Sequence, residues 1–357
     1  MSGLVFRFPT NVEMDAITQE YRPDPARFIG QTILPPVAKN TQRVEWFERH
    51  NVKGKTSVHT MDTDARTVGR RGETLKSYEP IPHKEAEIVK ESEILKSRDL
   101  ATLGGVISMD ELVMDAFRTA MLKDSVAMEV ECWSALQGQL SINENGVVIE
   151  ETFPIQEYTP QTEWDDLANA TPLKDLNAVK LMFRATGASA QGSKLYLNEG
   201  TFHKILENQN ANDLRGFNVD NFRSAAFDID QFNKLLAARG LPMFQIYDEG
   251  WINEGGNFQL FIPNGKAILV GKRQAGESVG DYAMTPTLHR SVNGVAAPGR
   301  FAFVTVNGQQ SQLGQTGVSM AQLGGHSNPR FEVVHGVYGG PRLIYPRSVI
   351  KINAFEE

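Results

Sequence analysis

Apolar residues recur at spacings of mostly three and four through Leu112, Ala116, Phe117, Ala120, Met121, Ala127, Val130, Cys132, Trp133 and Leu136. That period puts them on one side of an α-helix. Ser108 with Glu111 three residues on has the form of a capping box, and Gly138 offers a C-terminal stop. At 1.5 Å per residue such a helix is roughly 40 Å long, a spine along which other elements pack.

The chain before the spine is patterned differently. Pro9, Pro23, Pro25, Pro35 and Pro36 interrupt residues 1–45 and leave room only for a short helix near Met14–Glu20. Proline fixes φ and removes a donor, so this stretch reads as an extended arm lying across a surface. Phe6, Phe8, Tyr21, Phe28, Ile33 and Leu34 make it too apolar for a disordered tail. Val44–Phe47 and Glu85–Val89 read as strands. Between them His50–Tyr78 is polar and has no helical period. A connection this long without its own core has a function as a rule. It reads as a projecting two-stranded hairpin, which is barely stable alone and needs a partner to lie on.

After the spine the elements alternate irregularly. A β-rich stretch, Val147–Tyr158, precedes a helix that opens at Thr171-Pro172 and runs to about Thr186. Lys194–Leu197 reads as strand, Thr201–Glu207 as helix, and Ile229–Ala238 as a helix ending at Gly240. Strands are predicted at Met243–Tyr247, Phe258–Ile262 and Ala267–Val270. Residues 271–328 are rich in Gly, Gln, Ser and Thr and read as irregular loops with a few strands, such as Phe301–Val306. Two strands, Phe331–Val337 and Arg342–Ile352, close the chain. The order is mixed α+β, without a regular βαβ rhythm.

Composition narrows the function. The 357 residues carry a net charge of -7, which gives no support to nucleic-acid binding. No apolar run is long enough to span a bilayer as a helix. The lone cysteine, Cys132, excludes an intrachain disulfide and reads as a small buried hydrophobe. Candidate chemistry is weak throughout. Gly265–Lys272 ends in Gly-Lys, but five residues separate Gly265 from Gly271, Arg273 follows, and Ala267–Val270 is strand core rather than a phosphate loop. Gly187 to Gly192 is one residue from a nucleophile elbow and follows a helix where a strand is needed. Asp62 and Asp64 read as solvated carboxylates, and Asp228 and Asp230 as charges favouring the next helix. His50, His59, His83, His203, His289, His326 and His335 show no ligand spacing. The expectation is no catalytic residue, no cofactor and no metal, so that substituting Lys272, Cys132 or His83 removes no specific activity.

Arm, long hairpin and spine, in that order, resemble the HK97-fold major capsid proteins of tailed phages, above all the lambda-type major capsid protein E family. Gly69-Arg70-Arg71-Gly72 followed by Tyr78 to Glu85 resembles that family's extended loop and return strand. Val126 to Gly138 is similar to its spine helix, and Ile262 to Gly271 to its “PDNTxVLG” stretch. Phe331 to Val334, Pro341 to Leu343 and Val349-Ile350 resemble its closing strands. The resemblance is spread over about residues 30–355 and is carried by the order of elements rather than by one motif.

The resemblance implies an arm at 1–45, an extended loop at 46–90, a peripheral domain with the spine at 91–188 and 329–357, and an axial domain at 189–328. It implies hexamers and pentamers of an icosahedral virion head around double-stranded DNA, with synthesis in the host bacterial cytoplasm. In it Arg70, Arg71, Gly72 and Tyr78 of the loop contact a neighbouring subunit, the arginines binding carboxylates with their planar fork. Portal and decoration proteins are further implied partners. No heptad pattern precedes the spine, so a separate scaffolding protein and no maturation cleavage are expected. Two readings stay open beside it: a nanocompartment shell of the same fold, and a cytosolic α+β enzyme.

Overall fold

A computed structural model describes residues 5–7, 9–51, 55–61, 64, 67–69, 71–90, 92–93, 106–108, 110–208, 229–273, 276–292, 295–306, 309–310, 318–319 and 330–356. The spine helix runs Asp110–Leu136, 27 residues or about 40 Å. Its first half buries one stripe, Val113, Phe117, Ala120 and Met121. Its second half is buried almost all round, with Met128, Cys132, Trp133, Ala135 and Leu136 inside. Gly138, at φ +96, ends it as expected. Ser108 belongs to a short strand, Val106–Ser108, and the residue next to the helix start lies outside the described residues.

The spine packs on a mixed sheet centred on one long strand, Arg330–Leu343. Ile81–Lys90 pairs with it over residues 330–339. Arg300–Val306 pairs with its first part and Gly280–Met284 with its last, and Pro36–Ala38 extends the sheet in parallel. Two sequence expectations are corrected here. The described part of residues 271–328 holds far more strand than an irregular loop, because Tyr282 faces the core beside the spine and Ala302 and Val304 alternate with Phe301 and Phe303, which form a cluster of their own on the opposite face. The closing strand does not break at Gly339-Gly340-Pro341. Pairing with Ile81–Lys90 ends at Gly339, so Pro341 sits where a missing donor is tolerated.

The glycines there have their own reason. A Cβ on Gly340 would lie 2.2 Å from the Tyr78 hydroxyl, which donates to the Pro341 carbonyl at 2.6 Å. Gly340→Ala is expected to cost about 1–3 kcal/mol by overpacking. A denaturant midpoint equal to wild type would show that Tyr78 yields freely.

A second sheet has five strands in the order Met243–Ile246, Ala188–Leu197, Lys266–Arg273, Val349–Asn353, Gln156–Tyr158. Alternation divides its side chains between two cores. Leu195, Leu197, Ala267, Leu269, Ile350 and Ile352 face the helices Pro172–Met182, Glu199–Glu207 and Ile229–Ala238. Tyr196, Ile268 and Val349 face the spine, where Trp133 meets Tyr196 edge-on at 5.5 Å. The apolar run Ala267–Val270 is thus a central strand covered on both sides.

Hydrogen bonding groups the chain differently from the sequence-based division. Gly280–Met284 and Arg300–Val306, assigned to the axial part, pair with the long strand beside the spine. Pro172–Met182 and Val349–Asn353, assigned to the peripheral part, belong to the second core. The cause is chain crossing: the polypeptide leaves the spine layer near 153, returns near 276 and leaves again after 343.

The arm is also more structured than expected. Asn11–Glu20 is helical, with a full capping box between Thr10 and Glu13, and Met14 packs with Phe117 of the spine. A further short helix, Ile29–Ile33, had no legible period.

Candidate functional site

The polar stretch after residue 44 is a ribbon. Val44–Arg49 pairs antiparallel with Glu73–Tyr78, and the His50 amide bonds the Gly72 carbonyl at 3.1 Å. The partner of Val44–Phe47 is therefore a strand inside the polar stretch, while Glu85–Val89 belongs to the main sheet. One ribbon face is buried through Val44, Trp46 and Tyr78. The other carries Phe47 and Leu75 directly opposite each other, 51% and 62% exposed.

The base of the ribbon is clamped to residues 341–345. Tyr78 donates to the Pro341 carbonyl, Arg342 Nη1 to the Glu45 carbonyl at 2.5 Å, and the Arg49 amide to the Ile344 carbonyl at 2.8 Å. Arg342 is itself held in bidentate fashion by Asp281. Arg71 donates to the Tyr345 hydroxyl at 3.2 Å and pairs with Glu73 at 3.6 Å. Of the loop residues singled out in sequence, Tyr78 is buried and Arg71 is partnered within the chain, so both anchor the loop base. Gly72 is exposed, and Arg70 lies outside the described residues. Spacing alone does not separate an anchor from an outward contact.

Two other hairpins carry apolar side chains into solvent. Ile252 and Phe258 face each other across Gly250–Ile252 and Phe258–Leu260, 69% and 60% exposed. Leu288 and Val295 lie exposed on the hairpin formed by Pro286–Val292 and Val295–Pro298. Small hairpins with bare apolar faces gain by being covered.

The titratable groups are structural in placement. Glu129 on the spine accepts from the Gly30 amide at 2.6 Å, the Gln31 amide at 3.0 Å, Trp133 Nε1 at 2.7 Å and the Tyr247 hydroxyl at 2.8 Å. Burial pushes its carboxyl up and these bonds pull it back. Burial pushes the Cys132 thiol well above its ordinary value, which makes it inert. His289 stacks on Phe301 and Phe303, and burial lowers its pKa. Lys272 stands within the five-stranded sheet, and Ser189 in an irregular strand paired with it, not at an elbow. Asp64 is exposed; Asp62 and Asp228 lie outside the described residues.

The sequence model of the phage major capsid protein E family matches residues 12–307. The chain belongs to that family. This capsid protein has a structural role in the phage virion, not a catalytic one, which removes the enzyme and nanocompartment readings. Among solved structures it is similar to a phage-related protein from Bordetella bronchiseptica RB50, with 13% identity over 99% of this chain and 98% of that one and a TM-score of 0.53. It is also similar to the proposed capsid protein of a prophage in Escherichia coli CFT073, with 12% identity over 97% and 99% and a TM-score of 0.56. The shared fold is the α+β, HK97-like capsid fold. No curated protein matches the capsid protein in sequence.

Proposed function

We propose that this capsid protein assembles as hexamers and pentamers into an icosahedral head enclosing double-stranded DNA, and that the ribbon at 44–78 lies on a neighbouring subunit. The observation that carries this is the outward pair Phe47 and Leu75 on a ribbon whose other face and base are fixed within the chain. A clamp at 341–345 holds the root and leaves the outer face to a partner. Gly72 and, from its place in the sequence, Arg70 take part in the contact, while Arg71 and Tyr78 hold the base in register. The exposed pair Ile252/Phe258 and the exposed side chains Leu288 and Val295 serve further subunit contacts. The five-stranded unit is the axial domain in this reading. The arm at 1–45 and the sheet around the spine form the periphery.

Several slightly different environments suit bendable ribbons, and stability then belongs to the assembly. The net charge of -7 lets packaged DNA slide without sequence-specific contacts. A separate scaffolding protein sets curvature, and portal and decoration proteins complete the head. The subunit is made in the host bacterial cytoplasm.

The test is Phe47→Asp with Leu75→Asp, and separately deletion of residues 55–68. Both side chains are largely exposed, so the double substitution, which sets two carboxylates across the strands, is expected to cost about 1–2 kcal/mol and to leave the subunit folded. Electron microscopy of either variant co-expressed with its scaffold should show no closed shells. Normal closed shells from both would reduce the ribbon to a surface ornament.

A further inference from the structure

Glu85 and Glu87, on the strand that returns from the ribbon, come together with His335 of the long strand. His335 is the direct cross-strand partner of Glu85, and Glu87 stands two residues further along the same face. One ligand atom from each residue lies within 4.8 Å of the others. In sequence the group is invisible, because about 250 positions separate the histidine from the carboxylates.

The independent sign is the imidazole. His335 is 1% exposed, and its Nδ1 lies 2.9 Å from Asp124 Oδ1, also buried. Its Nε2 is buried and, among the described residues, has no hydrogen-bond partner. A buried polar atom left unpaired is costly in a folded chain. Nδ1–H donating to a carboxylate leaves Nε2 with a free lone pair. That is the tautomer, and the outer carboxylate, that orient a metal-ligating histidine.

We propose that Glu85, Glu87 and His335 bind a zinc-class divalent cation, with Asp124 of the spine orienting the imidazole. One nitrogen and two carboxylate oxygens suit zinc with its remaining position open to water, and imidazole disfavours calcium and magnesium. Tetrahedral zinc needs ligands about 3.4 Å apart, given metal–ligand bonds near 2.1 Å. Rotation of the two glutamates closes that gap. Glu85 has a side chain 63% exposed, which gives the ion an entry path. Lys123 is the competitor: its ammonium pairs with Glu87 and lies 3.7 Å from Glu85. With a side chain 53% exposed it has solvent to swing into. The bound ion would staple the return strand of the ribbon to the long strand, stiffening the base of the loop.

The experiment is calorimetric titration of the purified full chain with Zn2+, with Co2+ absorption as a second readout of coordination. One Zn2+ per subunit is expected. Glu87→Gln should weaken it by at least about 10-fold, as loss of a ligand exceeds the effect of losing an outer-sphere partner. Lys123→Ala should tighten it several-fold. A purely structural ion pair predicts the reverse pattern, a lower melting temperature in Lys123→Ala and no zinc. Absence of zinc binding in both wild type and Lys123→Ala, or an affinity unchanged by Glu87→Gln, overturns the site. Thermal melts of each variant establish that the titrated protein is folded.

Discussion

Glu129→Ala is expected to destabilise the subunit by at least about 3 kcal/mol, because several buried donors lose their acceptor at once. Gly30 and Gln31 offer the free amides of the first turn of Ile29–Ile33, which have no partner inside the helix. Trp133 Nε1 and the Tyr247 hydroxyl converge on the same carboxylate. The residue is 0% exposed, so water does not replace it. Against a typical total of about 5–15 kcal/mol, this loss removes a large share of stability. Glu129→Gln keeps the volume and one acceptor but turns an NH2 group toward an amide donor, and an intermediate loss is expected. Gly30→Ala should act on the same contact from the other side, since its Cβ would lie 2.9 Å from Glu129 Oε1. Urea midpoints rank the three; an unchanged midpoint in Glu129→Ala would show that the carboxylate is not what docks the arm on the spine.

That docking shows where sequence reading stops. The spine was legible because a long 3.6-residue period needs no knowledge of its partners. Gly138 and Gly240, with φ of +96 and +63, were legible as helix ends for the same local reason. The hairpin Gln139–Glu144/Val147–Thr152 carries a local signal of its own: Asn145 and Gly146, both at positive φ, form the tight turn that Asn-Gly favours. The single strand across Gly339-Gly340-Pro341 was not legible. Its continuity depends on which neighbours end where, and on Tyr78 lying over Gly340, contacts separated by more than 250 positions.

The candidate surfaces were legible in outline only. A polar segment without a period, flanked by strands, announces a projection. It does not say that Phe47 faces out while Trp46 faces in, because that depends on the register with Leu75 and Lys76. Tyr78 stood out in the chain beside Arg70, Arg71 and Gly72, yet its hydroxyl serves the interior. The same holds for charge. Asp124, Glu129 and Glu131 are charged positions that a helix usually leaves to solvent, and all three are buried because sheets cover the second half of the spine from more than one side.

Glu131 leads to the second large effect, a loss of stability on the alkaline side. It accepts from the Tyr282 hydroxyl at 2.7 Å and lies against His83 Nε2, so it ties the spine to two strands of the main sheet. Burial alone would lower the His83 pKa, but the charge and hydrogen bond of Glu131 outweigh it and push it up to about 9. An unfolded histidine titrates near 6.5. The folded state therefore holds a proton that the unfolded state releases. The contribution is complete below about pH 6.5, declines as pH rises, and is gone once pH has passed through 9. Its ceiling is about 3 kcal/mol, since a tenfold gain in proton affinity corresponds to about 1.4 kcal/mol. Urea midpoints of wild type and His83→Gln between pH 6 and 10 isolate it, because lysine and tyrosine titrations are common to both. The gap should be widest near pH 6 and should narrow steadily above pH 7. A gap that stays constant to pH 10 would mean that His83 holds its strand as a neutral ring, and that the spine is fastened there by shape rather than by charge.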